Sequence, residues 1–105
     1  MAKTESSITA EQVRELLHYD PETGIFTRKI RTSTSIKVGD IAGSKNGDGY
    51  IDISLRRISY KAHRLVWMYV YGAWPDGQID HINGVRDDNR LINLRPATKI
   101  GRAHV

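Results

Sequence analysis

The chain has 105 residues, enough for one small domain or two very small modules but too few for a large enzyme core. Charged residues make up 27% of it and hydrophobic residues 39%, a balance typical of globular proteins and not of disordered ones. No apolar run approaches the ~20 residues of a membrane helix and no secretory signal is recognisable, so no membrane partner is expected. The chain has no cysteine, which excludes disulfides, thiolate metal sites and a cysteine nucleophile.

Positive charge is in excess, because 16 Lys and Arg residues stand against 12 Asp and Glu, giving a formal net charge of +4. This excess favours a polyanionic partner such as nucleic acid. Ordinary surface charge explains it equally well, so the charge has to be interpreted together with the motifs.

The first predicted element is a short helix. Residues 1–8 are expected to form a flexible tail, and Thr9-Ala10-Glu11-Gln12 has the pattern of a capping box, from which the helix would run to about His18. Asp20-Pro21-Glu22-Thr23-Gly24 predicts a turn, because proline fixes one φ angle and glycine accepts a positive one. Ile25-Phe26-Thr27 follows as a predicted strand.

The clearest strand pattern covers residues 50–55, where apolar and polar side chains alternate with the period of two expected of a half-buried strand. Arg56 and Arg57 would form the tip of a hairpin whose second strand covers residues 58–62. A two-stranded ribbon fits the major groove of DNA, so Arg56, Arg57 and Lys61 are candidate DNA-binding residues. The alternative is that the tip is basic only because it is exposed to solvent.

A second helix is predicted from His63 to Tyr71, ended by Gly72. His63 could approach DNA, but a histidine at the start of an apolar helix is more often packed and hydrogen-bonded. Arg64 and, further along the chain, Arg95 are better candidates for phosphate contacts.

Residues with catalytic chemistry follow at Asp80 and His81. Neighbours on a strand point to opposite faces, so these two can serve one site only where the backbone ends or bends, and Asn83-Gly84 supplies such a bend. A carboxylate that holds Mg²⁺ and a neutral imidazole that takes a proton from water suit phosphodiester hydrolysis. An asparagine oxygen on the far imidazole nitrogen would fix the tautomer. The same residues are also compatible with a turn that has a capping Asp and a surface His.

Longer pieces of sequence make the interpretation specific. Residues 60–98 resemble the HNH nucleases of bacteriophages, many of them homing-type, in Ala62–Trp67, Gly72–Pro75, Ile79–Gly84 and Asn89–Arg95. Two upstream pieces, Tyr19–Gly24 and Gly49–Ile51, also recur in those proteins, so the resemblance covers about residues 15–98.

The resemblance implies a ββα-metal finger and a metal-dependent DNA endonuclease. By that resemblance Asp80 is a metal ligand, His81 the general base and Asn93 the residue that orients His81, while Asn89 would shape the loop. A divalent cation, Mg²⁺ or Mn²⁺, is the implied cofactor and DNA the implied partner, without a small-molecule substrate.

The C-terminus departs from the family pattern. Family members continue after Thr98 with a helix that offers a last metal ligand, whereas this chain has Arg102 at about that place, and a guanidinium cannot bind Mg²⁺. His104 is the remaining candidate. The last residues, Ile-Gly-Arg-Ala-His-Val, also match the translation of a common sequencing-library adapter, ATC-GGA-AGA-GCA-CAC-GTC, whose next codon is a stop. We therefore expect a truncated finger in which residues 100–105 are non-native and activity is impaired.

The predicted fold class is α+β, a small antiparallel sheet with short helices and an incomplete ββα-metal (HNH) finger. The expected division is a tail at 1–8, a DNA-contacting part at 9–72 and the finger at 73–105. The alternatives to an endonuclease are a non-catalytic DNA-binding module and a small structural or regulatory phage protein whose Asp-His-Asn trio only caps turns. The resemblance also implies a monomer, encoded by a phage or prophage and located in the cytoplasm of the bacterial host.

Overall fold

A computed structural model of the chain describes residues 8–31 and 34–97. Within these residues, short helices and antiparallel strands alternate in the order α1 (Ala10–Leu16), β1 (Leu17–Asp20), β2 (Ile25–Arg28), β3 (Ser44–Lys45), β4 (Ile51–Leu55), β5 (Ile58–Lys61), α2 (Ala62–Tyr71), β6 (Gln78–His81), a 3₁₀ helix (Leu91–Asn93) and β7 (Leu94–Ala97). This is the predicted α+β class. The expectations about the tail before Ile8 and about residues 98–105 lie outside the described residues.

Helix α1 begins as predicted but ends earlier than predicted, at Leu16. Oγ1 of Thr9 accepts a hydrogen bond from the Gln12 amide at 3.2 Å, and Oε1 of Gln12 accepts one from the Thr9 amide at 3.0 Å, which completes the capping box. The predicted end near His18 is wrong, because Leu17 and Tyr19 are buried while His18 between them is exposed. That alternation belongs to strand β1, which pairs with β2.

Three small sheets make up the strand content of the described residues: β1 with β2, β3 with β4 and β5, and β6 with β7. The hairpin predicted around Arg56 and Arg57 is confirmed, since Leu55 and Ile58 are paired neighbours on either side of a two-residue turn. Strand β3 was not predicted, because two residues are too few to show a period.

Helix α2 matches the predicted helix to within one residue. Gly72 ends it with a φ of 83°, and its amide donates to the Met68 carbonyl oxygen at 3.0 Å. No helix within the described residues is long and apolar enough to cross a membrane.

A single apolar core joins the N-terminal part to the predicted finger. Its fully buried side chains include Phe26, Leu17, Ile53, Leu65, Val13 and Val66. Ile79 of β6 and Leu94 of β7 belong to the same cluster, so the boundary expected between residues 72 and 73 does not separate two cores. The finger is therefore held in place by the rest of the chain.

The β4–β5 turn is strained. Arg56 has a φ of 53° and Arg57 a φ of 70°, so both central residues adopt the left-handed conformation that a two-residue turn of this type requires. Asparagine and glycine accept that conformation readily, whereas the Cβ atom of arginine makes it unfavourable. The hairpin thus carries two arginines at positions where other residues would be more stable.

We expect Arg56→Asn combined with Arg57→Gly to raise the free energy of unfolding by about 1–2 kcal/mol, because it relieves this backbone strain. Urea denaturation followed by circular dichroism would measure the change. Arg56→Gln with Arg57→Gln is the control, since it removes both charges but keeps the strain, and it should leave stability nearly unchanged. Equal stability of the two double variants would contradict the interpretation.

Candidate active site

Asp80 and His81 lie at the end of strand β6, where the chain turns. His81 is the last residue of the strand, and its carbonyl oxygen accepts a hydrogen bond from the Gly84 amide at 2.9 Å. Gly84 has a φ of 78°, so the bend predicted at Asn83-Gly84 is present. Both Asp80 and His81 are half-buried, which leaves part of each side chain accessible.

The imidazole of His81 is held by an asparagine. Nε2 of His81 lies 2.8 Å from Oδ1 of Asn89, a residue that is only 2% exposed. Because an amide oxygen only accepts hydrogen bonds, Nε2 must carry the proton, and Nδ1 of the neutral ring keeps its lone pair. The ring is therefore arranged to accept a proton at Nδ1.

Asn93, the residue predicted to orient His81, contacts the backbone of the loop. Its Oδ1 accepts from the Asn83 amide at 3.0 Å, and its Nδ2 donates to Oδ1 of Asn83 at 3.0 Å and to the Asp88 carbonyl oxygen at 2.8 Å. Asn89, and not Asn93, contacts the His81 ring, whereas Asn93, and not Asn89, holds the loop together. The two predicted roles are therefore reversed. Sequence spacing could not distinguish them, because two asparagines lie within five positions on an irregular segment.

The loop that carries Asn89 is stabilised by a polar cluster around Asp88. Nε and Nη2 of Arg90 donate to the two carboxylate oxygens of Asp88 at 2.8 and 2.7 Å, and Nδ2 of Asn83 donates to the same carboxylate at 2.8 Å. The hydrogen bonds from Arg90 hold the pKa of Asp88 well below its usual range. The carboxylate thus stays ionised and fixes the conformation of the loop.

Two aromatic rings pack against the His81 ring. The His63 ring lies edge-on with a centroid distance of 5.1 Å, and the Tyr50 ring is tilted at 5.9 Å. Tyr50 also contacts His63 at 5.4 Å, and the guanidinium of Arg86 lies 5.1 Å from the centre of the Tyr50 ring. This three-ring cluster restricts the orientation of the imidazole from the sides that Asn89 does not touch.

His63 is packed, as the preferred interpretation predicted, but it is packed against the candidate site. It is 9% exposed, and its Nδ1 is buried with no hydrogen-bond partner among the described residues. Burial lowers the pKa of His63 to about 4, helped by the nearby charges of His81, Arg64 and Lys61. The ring is therefore neutral at neutral pH.

Asp80 is the candidate metal ligand within the described residues. No group of three or more His, Asp or Glu side chains that could hold a metal ion occurs in residues 8–31 and 34–97. A single carboxylate fits Mg²⁺, which usually retains several waters and binds through one or two carboxylates and substrate phosphates. A further ligand was expected near Arg102 or at His104, which lie outside the described residues.

Arg95 is placed beside Asp80. The two residues are paired across β6 and β7, and directly paired residues of an antiparallel ribbon project on the same face. The side chain of Arg95 is exposed, as are those of Arg56 and Arg57 at the hairpin tip. These three predicted DNA-binding residues are thus open to a large partner.

The other two predicted DNA-binding residues are engaged within the fold. Nζ of Lys61 pairs with a carboxylate oxygen of Asp52 at 3.1 Å, at the exposed edge of β5. Nη1 of Arg64 donates to the Gly77 carbonyl oxygen at 2.9 Å, and so fixes the segment that leads into β6. Arg64 therefore has a structural contact of its own next to the candidate site.

Comparison with known proteins places this geometry in context. Residues 60–101 match the model of a family described as HNH endonuclease. A solved structure of the HNH homing endonuclease I-HmuI, a protein described by its DNA binding and cleavage, has a similar fold over 84% of this chain, with a TM-score of 0.59 and 24% sequence identity. The match covers 49% of the I-HmuI chain, so this chain spans about half of that protein's length. No curated protein matches the sequence.

Acid should destabilise the fold through His63. Its pKa falls from 6.5 to about 4 on folding, so the unfolded chain binds the proton more tightly, and stability falls as pH decreases from about 6.5 towards 4. The total loss expected from this group is about 3 kcal/mol. His63→Phe, which keeps a ring without a titrating nitrogen, should remove most of this pH dependence in urea denaturation.

The matched control for this measurement is His18→Gln, because His18 is exposed on β1. This variant should keep the acid dependence of the parent. A His63→Phe protein with the same acid dependence as the parent would show that another group is responsible.

Proposed function

We propose that this chain is a metal-dependent endonuclease acting on DNA, since its residues 60–101 match the model of a family described as HNH endonuclease. The observation that carries this proposal is the His81 imidazole, whose Nε2 is held by Asn89 while Nδ1 remains available as a base. Asp80 precedes His81 at the end of β6, and its carboxylate is suited to a hard cation.

In the proposed reaction Nδ1 of His81 takes a proton from a water molecule while the water oxygen attacks the phosphorus of the scissile phosphodiester. The P–O bond to one sugar oxygen breaks, and this leaving oxygen takes a proton from solvent, so that a phosphomonoester and a free hydroxyl result. The carboxamide oxygen of Asn89 stabilises the imidazolium that forms, because it accepts a hydrogen bond from Nε2–H throughout the reaction. His63 stays neutral beside it and therefore adds no repelling charge. These groups supply general-base catalysis and orientation.

The phosphate would lie at the end of the β6–β7 ribbon, where Asp80 and Arg95 are paired across the two strands and His81 is the last residue of β6. Asp80 would hold Mg²⁺ or Mn²⁺, and this cation, when bound, would neutralise charge on the scissile phosphate. The guanidinium of Arg95 is suited to bidentate contact with phosphate oxygens. I-HmuI is described as binding and cleaving DNA, which supports the same substrate class for this chain.

Away from the cleavage site, Arg56 and Arg57 would bind the DNA backbone. Both are exposed at the tip of a two-stranded ribbon, a shape that fits the major groove. The strained conformation of the turn agrees with retention of these residues for binding and not for stability. Lys61 would contribute only if its ion pair with Asp52 opens.

Plasmid nicking in Mg²⁺ or Mn²⁺ tests the proposal. His81→Ala should lower the rate at least about 100-fold, because the proton acceptor is lost, while binding to DNA is kept. Asn89→Ala should lower it by about tenfold or more through loss of ring orientation.

Arg102→Asn tests the expectation that a metal ligand belongs at position 102, and it should raise the rate of nicking. Equal cutting by the parent and His81→Ala would sink the assignment.

DNA binding should depend on the charge of the hairpin tip. Arg56→Gln with Arg57→Gln should weaken binding at low salt and reduce the slope of log affinity against log salt by about 2, because two phosphate contacts are lost. Arg56→Lys with Arg57→Lys is the control, which keeps the charges and should keep the slope. Fluorescence anisotropy with labelled duplex DNA measures both. An unchanged slope in the Gln variant would remove the tip from the binding surface.

A DNA-binding module without catalysis is the second candidate function. It is favoured by the exposed arginines Arg56 and Arg57 at the tip of the β4–β5 hairpin, which could contact DNA without any cation. Binding to DNA that needs no cation, with no cleavage under any metal, would support it. A monomeric state and a location in a bacterial host remain predictions of the sequence.

A further inference from the structure

The N-terminal hairpin contacts the backbone of the loop that holds His81. The hydroxyl of Tyr19, on β1, donates to the carbonyl oxygen of Asn89 at 2.5 Å, within the buried interior. The amide of Leu91 donates to the carbonyl oxygen of Pro21 at 3.1 Å. The loop backbone is thus held at two points, the carbonyl oxygen of Asn89 and the amide of Leu91.

Close packing at Gly24 supports the same contact. Gly24 has a φ of 77°, and a Cβ atom at this position would lie 2.4 Å from both the Arg90 nitrogen and the Asn89 carbonyl carbon. No side chain other than hydrogen fits there, so the β1–β2 turn approaches the loop backbone directly. The Tyr19 ring is itself fixed by Phe26 and Tyr69, with centroid distances of 4.9 and 5.8 Å.

We propose that Tyr19 and the turn Pro21–Gly24 are positioning elements that aim the His81 base through Asn89. The hairpin holds the backbone on the C-terminal side of the Asn89 side chain at two points, the Asn89 carbonyl oxygen and the Leu91 amide. The hairpin therefore sets the direction in which Oδ1 of Asn89 points. Oδ1 in turn fixes the proton at Nε2 of His81 and the plane of its ring. The proposal deepens the assignment of His81 as the base and rests on it.

The role assigned to Tyr19 goes beyond stability. The tyrosine would be needed even in a protein that remains folded, because a small rotation of the Asn89 amide breaks a hydrogen bond to the ring without breaking the core. Misplacement of a catalytic group by about 1 Å costs as much as 100-fold in rate. The effect should therefore appear in the state of the His81 ring and in kcat.

The first test is Tyr19→Phe, which removes the donor and keeps the packed ring. At one fixed pH, ¹⁵N-resolved spectra of the histidine rings should show His81 losing its Nε2–H signature, and kcat for nicking should fall on the order of tenfold with KM unchanged. Tyr60→Phe is the matched control, a hydroxyl removal from another buried tyrosine whose ring stacks on Trp74. It should leave the His81 signals in place even if it lowers the melting temperature equally.

The second test is Gly24→Ala, whose added carbon would push on Asn89 and Arg90. Gly39→Ala is the matched control, because Gly39 also has a positive φ, 94°, but an added Cβ would meet nothing within 4 Å. Both variants carry the backbone strain of a left-handed alanine, and only Gly24→Ala should alter the His81 ring signals. If Gly24→Ala does not fold, Tyr19→Phe decides alone.

Altered His81 signals in Tyr19→Phe, with unaltered signals in Tyr60→Phe, would support the positioning role. Unaltered signals in Tyr19→Phe, or equal changes in both, would overturn it. The spectra need neither DNA nor metal, so a parent chain that never cuts DNA would sink the nuclease assignment while the ring measurement still decides whether the hairpin positions His81.

Discussion

The buried residue Asn89 links the ring of His81 to the N-terminal hairpin. Its Oδ1 holds the ring of His81, and its carbonyl oxygen accepts from the hydroxyl of Tyr19. A polar side chain that is 2% exposed is costly to bury unless it is hydrogen-bonded, and the contact between Oδ1 and Nε2 of His81 supplies such a hydrogen bond. The orientation of the candidate base therefore depends on a hairpin at the other end of the chain.

The finger relies on the rest of the fold in other places as well. Nη1 of Arg86 donates to the Asp48 carbonyl oxygen at 2.7 Å, and Nζ of Lys45 pairs with Asp87 at 3.0 Å. A two-stranded ribbon is marginally stable alone, and the burial of Ile79 and Leu94 in the apolar core supplies the packing it lacks, with the two polar contacts as an addition. Residues 8–31 and 34–97 therefore share one core although the sequence suggests two parts.

The candidate site is packed by other side chains, whereas the basic hairpin tip is exposed and strained. The His81 ring is packed against His63 and Tyr50, whereas the positive charges of Arg56 and Arg57 stand on a strained, exposed turn. Strain at an exposed turn is tolerated only when the surrounding structure enforces it, here the pairing of β4 with β5. The turn is thus less stable than it would be with asparagine and glycine, but it carries a basic surface that suits nucleic acid.

The sequence by itself determined the hairpin of β4 and β5, helix α2, and the Asp80-His81 pair at a bend, because each depends on a local period or on a turn residue. It did not determine strand β1, whose four-residue alternation is hidden beside a helical pattern. Which asparagine holds His81, and the packing of His63 against that ring, were decided only by tertiary structure. The contact that fixes Asn89 joins residues 70 positions apart, and no spacing within a segment records such a distance.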